Sequence, residues 1–519
     1  MKESDIISLS ASDIQTLYAS KRLSAVGLVK LCLAQIGKHN TRGMKLRAVL
    51  RVERQETLFK QAQDLDKERE EKGPRSPMHG IPVLVKDMIS SSSTGLEMTC
   101  GSYALENSRY EGDATIVQRC RAAGMIVLAK SNLTEWGNMK DIAMTGGWSA
   151  FGGQTQSPYA EGGVDPNDTW LGHSNPGGSS SGSAAGVAAG FAPVSIGTES
   201  EGSIVTPASR AALYSIKPTF GNLPKHGVFS AVPTFESAGP LAKTPRDLAD
   251  LTAILMDQES CSSRLTGRWD GLGLAFVDPT KWRWPQAIYG SNDEFEKQYL
   301  HELKQAANML AARGVRVAQK ANFPTFEEIF ENKEDAQTIE HLTQFQLLDA
   351  VAQSLQGFVF SKVKSIPDII EFNKTHPDLE LPPEHPGQEA LEAALKPILT
   401  KDQFERGLSV VQKSCLEAIE RCLTEYGVDA ILAPSESHLC GHAAAAGVPI
   451  GTIPLSFAKF NGRPFGFHIL VRAREEETMF RIMSAWEATF PQASMPPPLL
   501  MHDTDPKTSE ALNPEFLKL

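Results

Sequence analysis

The sequence predicts an α/β protein built on one large, mixed but mostly parallel, twisted β-sheet with helices on both faces. Two observations predict this class. Short apolar runs that end in polar residues alternate with helical patterns of about ten residues, which is typical of βαβ units. Residues 281–427 instead carry long helical patterns, which indicates a helical insertion. Although length alone suggests about three domains, the candidate site residues are spread over distant parts of the chain, so we expect one large α/β domain with a helical insertion.

The N-terminal segment, residues 1–75, is predicted to be mainly helical and to pack on the core. Its first long helix has Ser24 as a suitable N-cap and apolar residues at the spacing of one buried face. A short strand is expected at 45–52. A charged helix is expected at 55–72, because Gly and Pro follow it as a stop signal.

The α/β core is predicted to comprise residues 76–280 and 428–495. Helices at 113–123, 244–256 and 475–488 separate its strands, which are expected at 80–87, 125–130, 194–198, 213–217, 272–277, 429–433 and 450–455. Residues 281–427 form the predicted insertion or cap, with helices at 293–312, 334–356 and 402–426. The Pro-rich end predicts an irregular tail at 496–519.

The composition favours a small-molecule enzyme. The chain has 51 Lys and Arg against 62 Asp and Glu, a formal charge of −11, and so offers little to nucleic acid or to anionic membranes. Seven scattered cysteines make no CxxC pair, and the N-terminus resembles no signal peptide, so we expect a reduced, cytoplasmic protein. We expect a monomer or a homodimer that binds no metal and has no membrane or nucleic-acid partner.

The densest chemical signal is the Gly/Ser run at 176–183, PGGSSSGS. A phosphate-binding loop is excluded, because Ser183 stands where that loop needs lysine. Residues 178–182 formally match the G-x-S-x-G nucleophile elbow. The elbow requires a buried strand directly before it, and 171–176 has the composition of a loop, so a Ser-His-Asp enzyme is the weaker alternative.

A third mechanism uses more of the chain. Ser203 follows a predicted buried strand at its exit into a new helix, where several backbone N–H groups can point to one oxyanion. Ser179 precedes it by 24 residues, so that one helix and one strand can fold the two serines together. Lys86 ends another buried strand. A lysine and two serines can move a proton in sequence without a histidine.

These residues resemble the amidase signature hydrolases over nearly the whole chain. The matching segments are 80–87, 114–136, 152–155, 177–221, 238–247 and 446–472. The form GTESEGSIV at 197–205, with Gly-Trp-Ser-Ala at 147–150, is most similar to the peptide-amidase-like branch of bacteria and fungi. Glu199 and Glu201 differ from the aspartate and glycine of many members, and Met88 differs from a frequent asparagine.

The resemblance implies a role for each matching residue. Ser203 would be the acyl-forming nucleophile, and Lys86 its base acting through Ser179, whose bond with Gly178 is cis in the family. Burial would have to lower the pKa of Lys86 toward roughly 7–8. Ser180 would hydrogen-bond around Lys86, and the oxyanion would be bound by the N–H groups of Ser200, Glu201, Gly202 and Ser203. The reaction would be hydrolysis of small-molecule or peptide amides without any cofactor.

Three other functions stay open. The family supplies the amidase subunit of a tRNA-dependent amidotransferase, although Glu201 and the acidic composition count against it. A binding or scaffold protein could keep the fold without catalysis, and the same nucleophile could serve an esterase or acyltransferase. Pocket walls are expected from 145–156, 281–427 and 434–447. The remaining candidate metal or acid–base residues are interpreted as packed or surface side chains: Cys440, His442, His173 and His226.

Overall fold

The computed structural model describes residues 5–141, 143–331 and 333–501. An eleven-stranded sheet organises the chain. Numbered in chain order, its strands are β1 Val49–Val52, β2 Pro82–Lys86, β3 Ile126–Ser131, β4 Val194–Glu199, β5 Tyr214–Lys217, β6 Ser237–Ala242, β7 Gly273–Val277, β8 Arg316–Ala321, β9 Ala430–Pro434, β10 Ile450–Phe457 and β11 Pro464–Val471.

The order of the strands across the sheet is β1-β3-β2-β4-β6-β5-β10-β11-β9-β7-β8. Parallel pairs form two blocks, β3-β2-β4 and β9-β7-β8, whereas the pairs between these blocks are antiparallel. The α/β class and the mixed sheet are therefore confirmed, and the antiparallel centre makes the sheet more evenly mixed than the βα rhythm predicts. In the block β3-β2-β4 the three strands are parallel, so their carboxyl ends lie at the same edge of the sheet. The last residue of β2 is Lys86.

The longer helices agree with the predicted pattern. They are α1 Ala11–Ala19, α2 Ala25–His39, α3 Gln55–Lys72, α4 Thr115–Ala122, α5 Ser181–Ala188, α6 Pro245–Met256, α7 Asp293–Ala312, α8 Ile339–Leu355, α9 Ile366–Thr375, α10 Lys401–Tyr426, α11 Leu439–Ala446 and α12 Glu476–Thr489. The shorter α-helices are Asp5–Ser8, Val205–Ser209, Gln286–Tyr289, Phe326–Phe330, Pro377–Glu380, Glu389–Ala393 and Pro498–Met501, and 3₁₀ turns lie at Ser92–Thr94, Tyr103–Leu105, Glu135–Gly137, Ser262–Arg264 and Pro491–Ser494. Two strand pairs lie outside the sheet: Arg109–Tyr110 with Phe358–Phe360, and Trp148–Ser149 with Gly153–Gln154.

The strand expected at 45–52 is present as β1, an edge strand that adds part of the N-terminal segment to the sheet. β8, inside the predicted helical insertion 281–427, is the other edge strand, and the sequence pattern does not predict it. We therefore propose that the inserted helical part begins after β8. Most of the predicted tail, 496–519, lies outside the described residues.

The N-terminal segment is held on the core by a buried carboxylate. Asp247, in the first turn of α6, accepts hydrogen bonds from the N–H of Ala11 (2.6 Å) and of Ser12 (3.0 Å). Buried apolar side chains of α2, including Leu28 and Val29, join the same cluster as the strands of the sheet. Within the part of the chain that the structure describes, no helix combines the length and apolar composition needed to cross a membrane.

Candidate active site

Lys86 lies at the carboxyl end of β2 and is 1% exposed. Its Nζ donates to Ser179 Oγ at 2.7 Å and to the carbonyl of Thr198, in β4, at 3.2 Å. Burial lowers the pKa of Lys86 from 10.5 to about 7, although the charges of Glu236 and Glu199 act in the opposite direction. A large fraction of Lys86 is therefore neutral near pH 7 and able to accept a proton.

Ser180 meets Lys86 through a shared acceptor rather than directly. Its Oγ donates to the Thr198 carbonyl at 3.1 Å, the same oxygen that Lys86 contacts. The backbone N–H of Ser180 also donates to the carbonyl of Ser203 at 3.0 Å, which ties the Gly/Ser run to the segment after β4. The peptide bond between Gly178 and Ser179 is cis, as the resemblance implies.

Ser203 lies in the turn between β4 and the short helix Val205–Ser209. It lines the same cavity as Ser179 and Ser200. In the described residues, no hydrogen bond joins the hydroxyls of Ser179 and Ser203. Hydrogen bonds between catalytic groups are often long in the free enzyme and tighten only when substrate binds. The oxyanion is predicted to be bound by the backbone N–H groups of Ser200, Glu201, Gly202 and Ser203. Within the described structure these four groups donate no hydrogen bond.

Glu199 and Lys217 clamp the turn that carries Ser203, and sequence reasoning missed this role. Glu199 Oε2 accepts from the N–H of Ile204 (2.6 Å) and of Val205 (3.0 Å) at one end of the turn. Lys217 Nζ donates to the carbonyl of Ser200 at 2.8 Å and lies 3.7 Å from Glu199 Oε1. Both side chains are buried, so the pair is weakly screened and fixes the backbone around the nucleophile.

Glycine is required at position 178 by close packing. A Cβ there would collide with Thr134 Oγ1. Thr134 in turn accepts from the N–H of Gly147 at 2.8 Å and donates its own N–H to the Ser179 carbonyl at 2.9 Å. The loop after β3 therefore holds Ser179 from one side.

A buried ion cluster supports the loop that precedes the Gly/Ser run. Glu436, after β9, lies 3.1 Å from Arg210 and 2.6 Å from Arg463. Arg210 also donates to the backbone carbonyls of Leu171 (2.7 Å) and Asn175 (2.9 Å). Despite its burial, the two guanidinium groups hold the pKa of Glu436 well below its usual range. The loop is thus anchored by charges that stay ionised.

A second buried cluster joins the core to the helical insertion. Lys140 Nζ lies 2.8 Å from Glu135 and 3.0 Å from Glu380, which ends the short helix Pro377–Glu380. Glu380 also accepts from Ser102 Oγ at 2.8 Å and from the N–H of Tyr103 at 2.7 Å. This cluster fixes the insertion beside the loops that line the cavity.

The cavity has a volume of about 740 Å³, large enough for a small amide or a short peptide. Its walls come from the three predicted segments, from the Gly/Ser run and the turn that carries Ser203, and from two other segments. The predicted segments supply Gly146, Trp284, Ile288, Phe326, Glu327, Thr338, Ile339, Glu340, Thr343, Gln344, Leu347, Glu389, Ala390, Ala393, His438 and Cys440; the two other segments supply Thr134, residues 137–139, Trp170 and Leu171. The insertion therefore faces Ser179 and Ser203 across the cavity.

The family model described as Amidase matches residues 28–451, which is most of the chain. The chain belongs to the amidase signature family. A probable amidase of Arabidopsis thaliana is 29% identical over 481 residues, covering 92% of this chain and 88% of the relative. The family assignment and this nearly full-length similarity identify the chain as an amidase-family hydrolase.

Solved amidase structures have the same fold. An amidase family protein from Bacillus anthracis superposes with a TM-score of 0.81 at 26% identity, over 96% of this chain and 93% of the other. The native peptide amidase from Stenotrophomonas maltophilia gives a TM-score of 0.80 at 27% identity, over 94% and 98% of the two chains. The similarity includes the helical insertion, because coverage is nearly complete.

The similarity to a tRNA-dependent amidotransferase is partial. One component of the glutamyl-tRNA(Gln) amidotransferase of Symbiobacterium thermophilum is 33% identical over 261 residues, about half of either chain. The amidase similarity above spans almost twice that length. The amidase interpretation therefore accounts for more of this sequence than the amidotransferase interpretation does.

The three histidines that were candidate metal or acid–base residues occupy ordinary positions. His442 contacts the carbonyls of His438 (3.3 Å) and Pro324 (3.1 Å), and His173 packs against Arg463. His226 is exposed. Their interpretation as packed or surface side chains agrees with these positions.

Cys440 is buried and lines the cavity beside Gly202, within the predicted wall segment 434–447. Burial raises the pKa of the Cys440 thiol well above its usual value. Because the thiolate is the reactive form of cysteine, this side chain is a poor nucleophile near neutral pH.

Proposed function

We propose that this amidase hydrolyses the C–N bond of small-molecule or peptide carboxamides through Ser203, Ser179 and Lys86, with an acyl-enzyme intermediate. The contact that carries the proposal is the hydrogen bond of 2.7 Å between Lys86 Nζ and Ser179 Oγ. A buried lysine with a pKa near 7 is a base of suitable strength, and the serine that it contacts opens to the cavity that Ser203 lines.

In the first step, Ser203 Oγ attacks the carbonyl carbon of the amide. Its proton passes to Ser179 Oγ as the proton of Ser179 passes to neutral Lys86. The negative charge that develops on the carbonyl oxygen is stabilised by the unpaired N–H groups of residues 200–203. Because these groups are fixed by the Glu199–Lys217 clamp, little reorganisation is needed when charge develops.

In the second step, the C–N bond breaks and the leaving ammonia or amine takes a proton back through Ser179 from Lys86. Water then attacks the acyl-enzyme, giving up its proton along the same path. The carboxylic acid leaves and Ser203 regains its proton. Each proton that Lys86 accepts is thus returned within the cycle.

The proposal is tested by ammonia release from simple amides and peptide amides. We expect wild-type protein to release ammonia, and Ser203→Ala and Lys86→Ala to fall by several orders of magnitude. Equal release by all three proteins would overturn the proposal. Profiling matched esters alongside the amides distinguishes an amidase from an esterase that uses the same nucleophile.

A further inference from the structure

The charged side chains that line the cavity are acidic. Four glutamates line it, Glu201, Glu327, Glu340 and Glu389, and among the described lining residues there is neither lysine nor arginine. His438 is the lining histidine, and burial lowers its pKa to about 4, so it is neutral near pH 7. A cavity with low-dielectric walls and charges of one sign concentrates ligands of the opposite sign.

Glu201 is the least exposed member of this set: it is half-buried, whereas the other three, at the mouth of the cavity, are exposed. No hydrogen bond or ion pair to its carboxylate is present among the described residues. The nearby Lys217 is already engaged by Glu199 and by the Ser200 carbonyl. Burial raises the pKa of Glu201 to about 7, Lys217 opposes this rise, and the charges of Glu199 and Glu340 add to it. A cationic ligand would supply the partner that this carboxylate lacks.

The chain makes specific room for the Glu201 side chain. A Cβ at Gly441, in α11, would lie 2.6 Å from Glu201 Oε1 and 2.8 Å from the ring of Phe326. The carboxylate and that aromatic ring therefore converge on one glycine. Two further rings line the same cavity, those of Trp170 and Trp284. Aromatic faces attract ammonium and guanidinium groups, so the rings point to the same ligand charge as the glutamates do.

We infer that this enzyme prefers amides that carry a second, positively charged amino or guanidinium group, which Glu201 binds inside the cavity and Glu340 attracts at its mouth. The inference rests on the proposed amidase function and specifies its substrate class. Glu340 lies in the first turn of α8 in the helical insertion, whereas Glu201 belongs to the nucleophile turn. The preference therefore depends on both walls of the cavity.

The test compares amides that differ in charge but not in shape. The pairs are Nα-acetyl-lysinamide with the amide of Nα-acetyl-2-aminoheptanoic acid, and Nα-acetyl-argininamide with Nα-acetyl-citrullinamide, assayed at pH 8 for ammonia release. We expect kcat/KM to be at least about tenfold higher for the cationic member of each pair, as for a hydrogen bond to a charged group. Equal or lower kcat/KM for the cationic members overturns the inference.

Three variants assign the preference to its residues. In Glu201→Gln the cationic-to-neutral ratio should fall to about one, and in Glu340→Gln it should fall by a smaller factor because that carboxylate is more exposed. The control is Glu259→Gln, an exposed carboxylate outside the cavity, which should keep the wild-type ratio. A ratio unchanged in Glu201→Gln contradicts the assignment. The measured quantity is the ratio of kcat/KM for the cationic amide to that for the neutral amide. A variant that loses activity toward both amides equally therefore leaves this ratio unchanged.

Failure of the inference is distinguishable from failure of the proposed function. If neutral and cationic amides are hydrolysed alike and Ser203→Ala is inactive, the function stands and the inference falls. If Ser203→Ala releases as much ammonia as wild type, the function itself falls.

Discussion

Replacement of Lys86 by methionine tests whether the lysine is kept for chemistry at the expense of stability. Methionine has a similar length and no charge, so Lys86→Met removes the base while filling its space. We expect activity to disappear and the free energy of unfolding near pH 7 to increase. A residue that served the fold would show the opposite change in stability.

The magnitude follows from the pKa of the buried amine. Folding lowers the pKa of Lys86 from 10.5 to about 7, which corresponds to about 5 kcal/mol of destabilisation at neutral or lower pH. Losing the hydrogen bonds to Ser179 and to the Thr198 carbonyl removes about 1 kcal/mol each. The net stabilisation of Lys86→Met near pH 7 is therefore about 3 kcal/mol.

The sign of the pH dependence is fixed by the same values. Between about pH 7 and pH 10.5 the unfolded chain keeps the Lys86 proton and the folded chain has lost it, so wild-type stability rises with pH across this window. The advantage of Lys86→Met should therefore be largest at pH 7 or below and disappear at about pH 9, where the remaining pKa penalty on the wild-type lysine equals the stability lost with its two hydrogen bonds.

The assay is thermal unfolding of wild type and Lys86→Met at intervals from pH 6 to pH 10, with ammonia release measured on the same samples. Lys140→Met is the matched control, since Lys140 is equally buried but lies between Glu135 and Glu380. Its loss leaves two buried carboxylates uncompensated and should destabilise by about 3–5 kcal/mol. A lower melting temperature for Lys86→Met at pH 7, or a difference independent of pH, would refute the reasoning.

Three further predictions concern the same site. Gly178→Ala should abolish ammonia release because its Cβ collides with Thr134, whereas Gly37→Ala, a helical position with open space, should leave activity unchanged and raise stability by about 0.5–1 kcal/mol. Glu199→Gln should lower kcat by about tenfold to a hundredfold with little change in KM, measured by steady-state kinetics; an unchanged kcat would contradict the clamp. For wild type, kcat/KM should rise with pH and level off with a midpoint near 7, because only neutral Lys86 acts as base; a rate that falls through this range contradicts that role.

The residues of the candidate site are more predictable from the sequence than the residues that hold them in position. Lys86 and Ser203 are recognisable because each follows an apolar run, and such runs form buried strands whose ends meet at one edge of the sheet. The partners of Arg210 are not predictable, since Glu436 lies more than two hundred residues away and only the folded chain brings them together. The contact of Ser180 with Lys86 through a backbone carbonyl likewise depends on strand register.

The arrangement of the sheet shows a similar limit. Local alternation of strands and helices predicts the α/β class but not the antiparallel centre, because strand direction depends on how distant segments pair. The sequence pattern places β8 inside the helical insertion, since its residues are largely exposed at a sheet edge and form a weak apolar pattern. Only its pairing with β7 assigns it to the sheet.

The most direct test of the central claim is to identify the residue that becomes acylated. Wild-type protein is mixed with a slowly hydrolysed amide or a fluorophosphonate, digested and examined by mass spectrometry. We predict one adduct on the peptide that contains Ser203, and its absence in Ser203→Ala. An adduct on Cys440, the thiol in the same cavity, or on Ser179 instead of Ser203 would contradict the account.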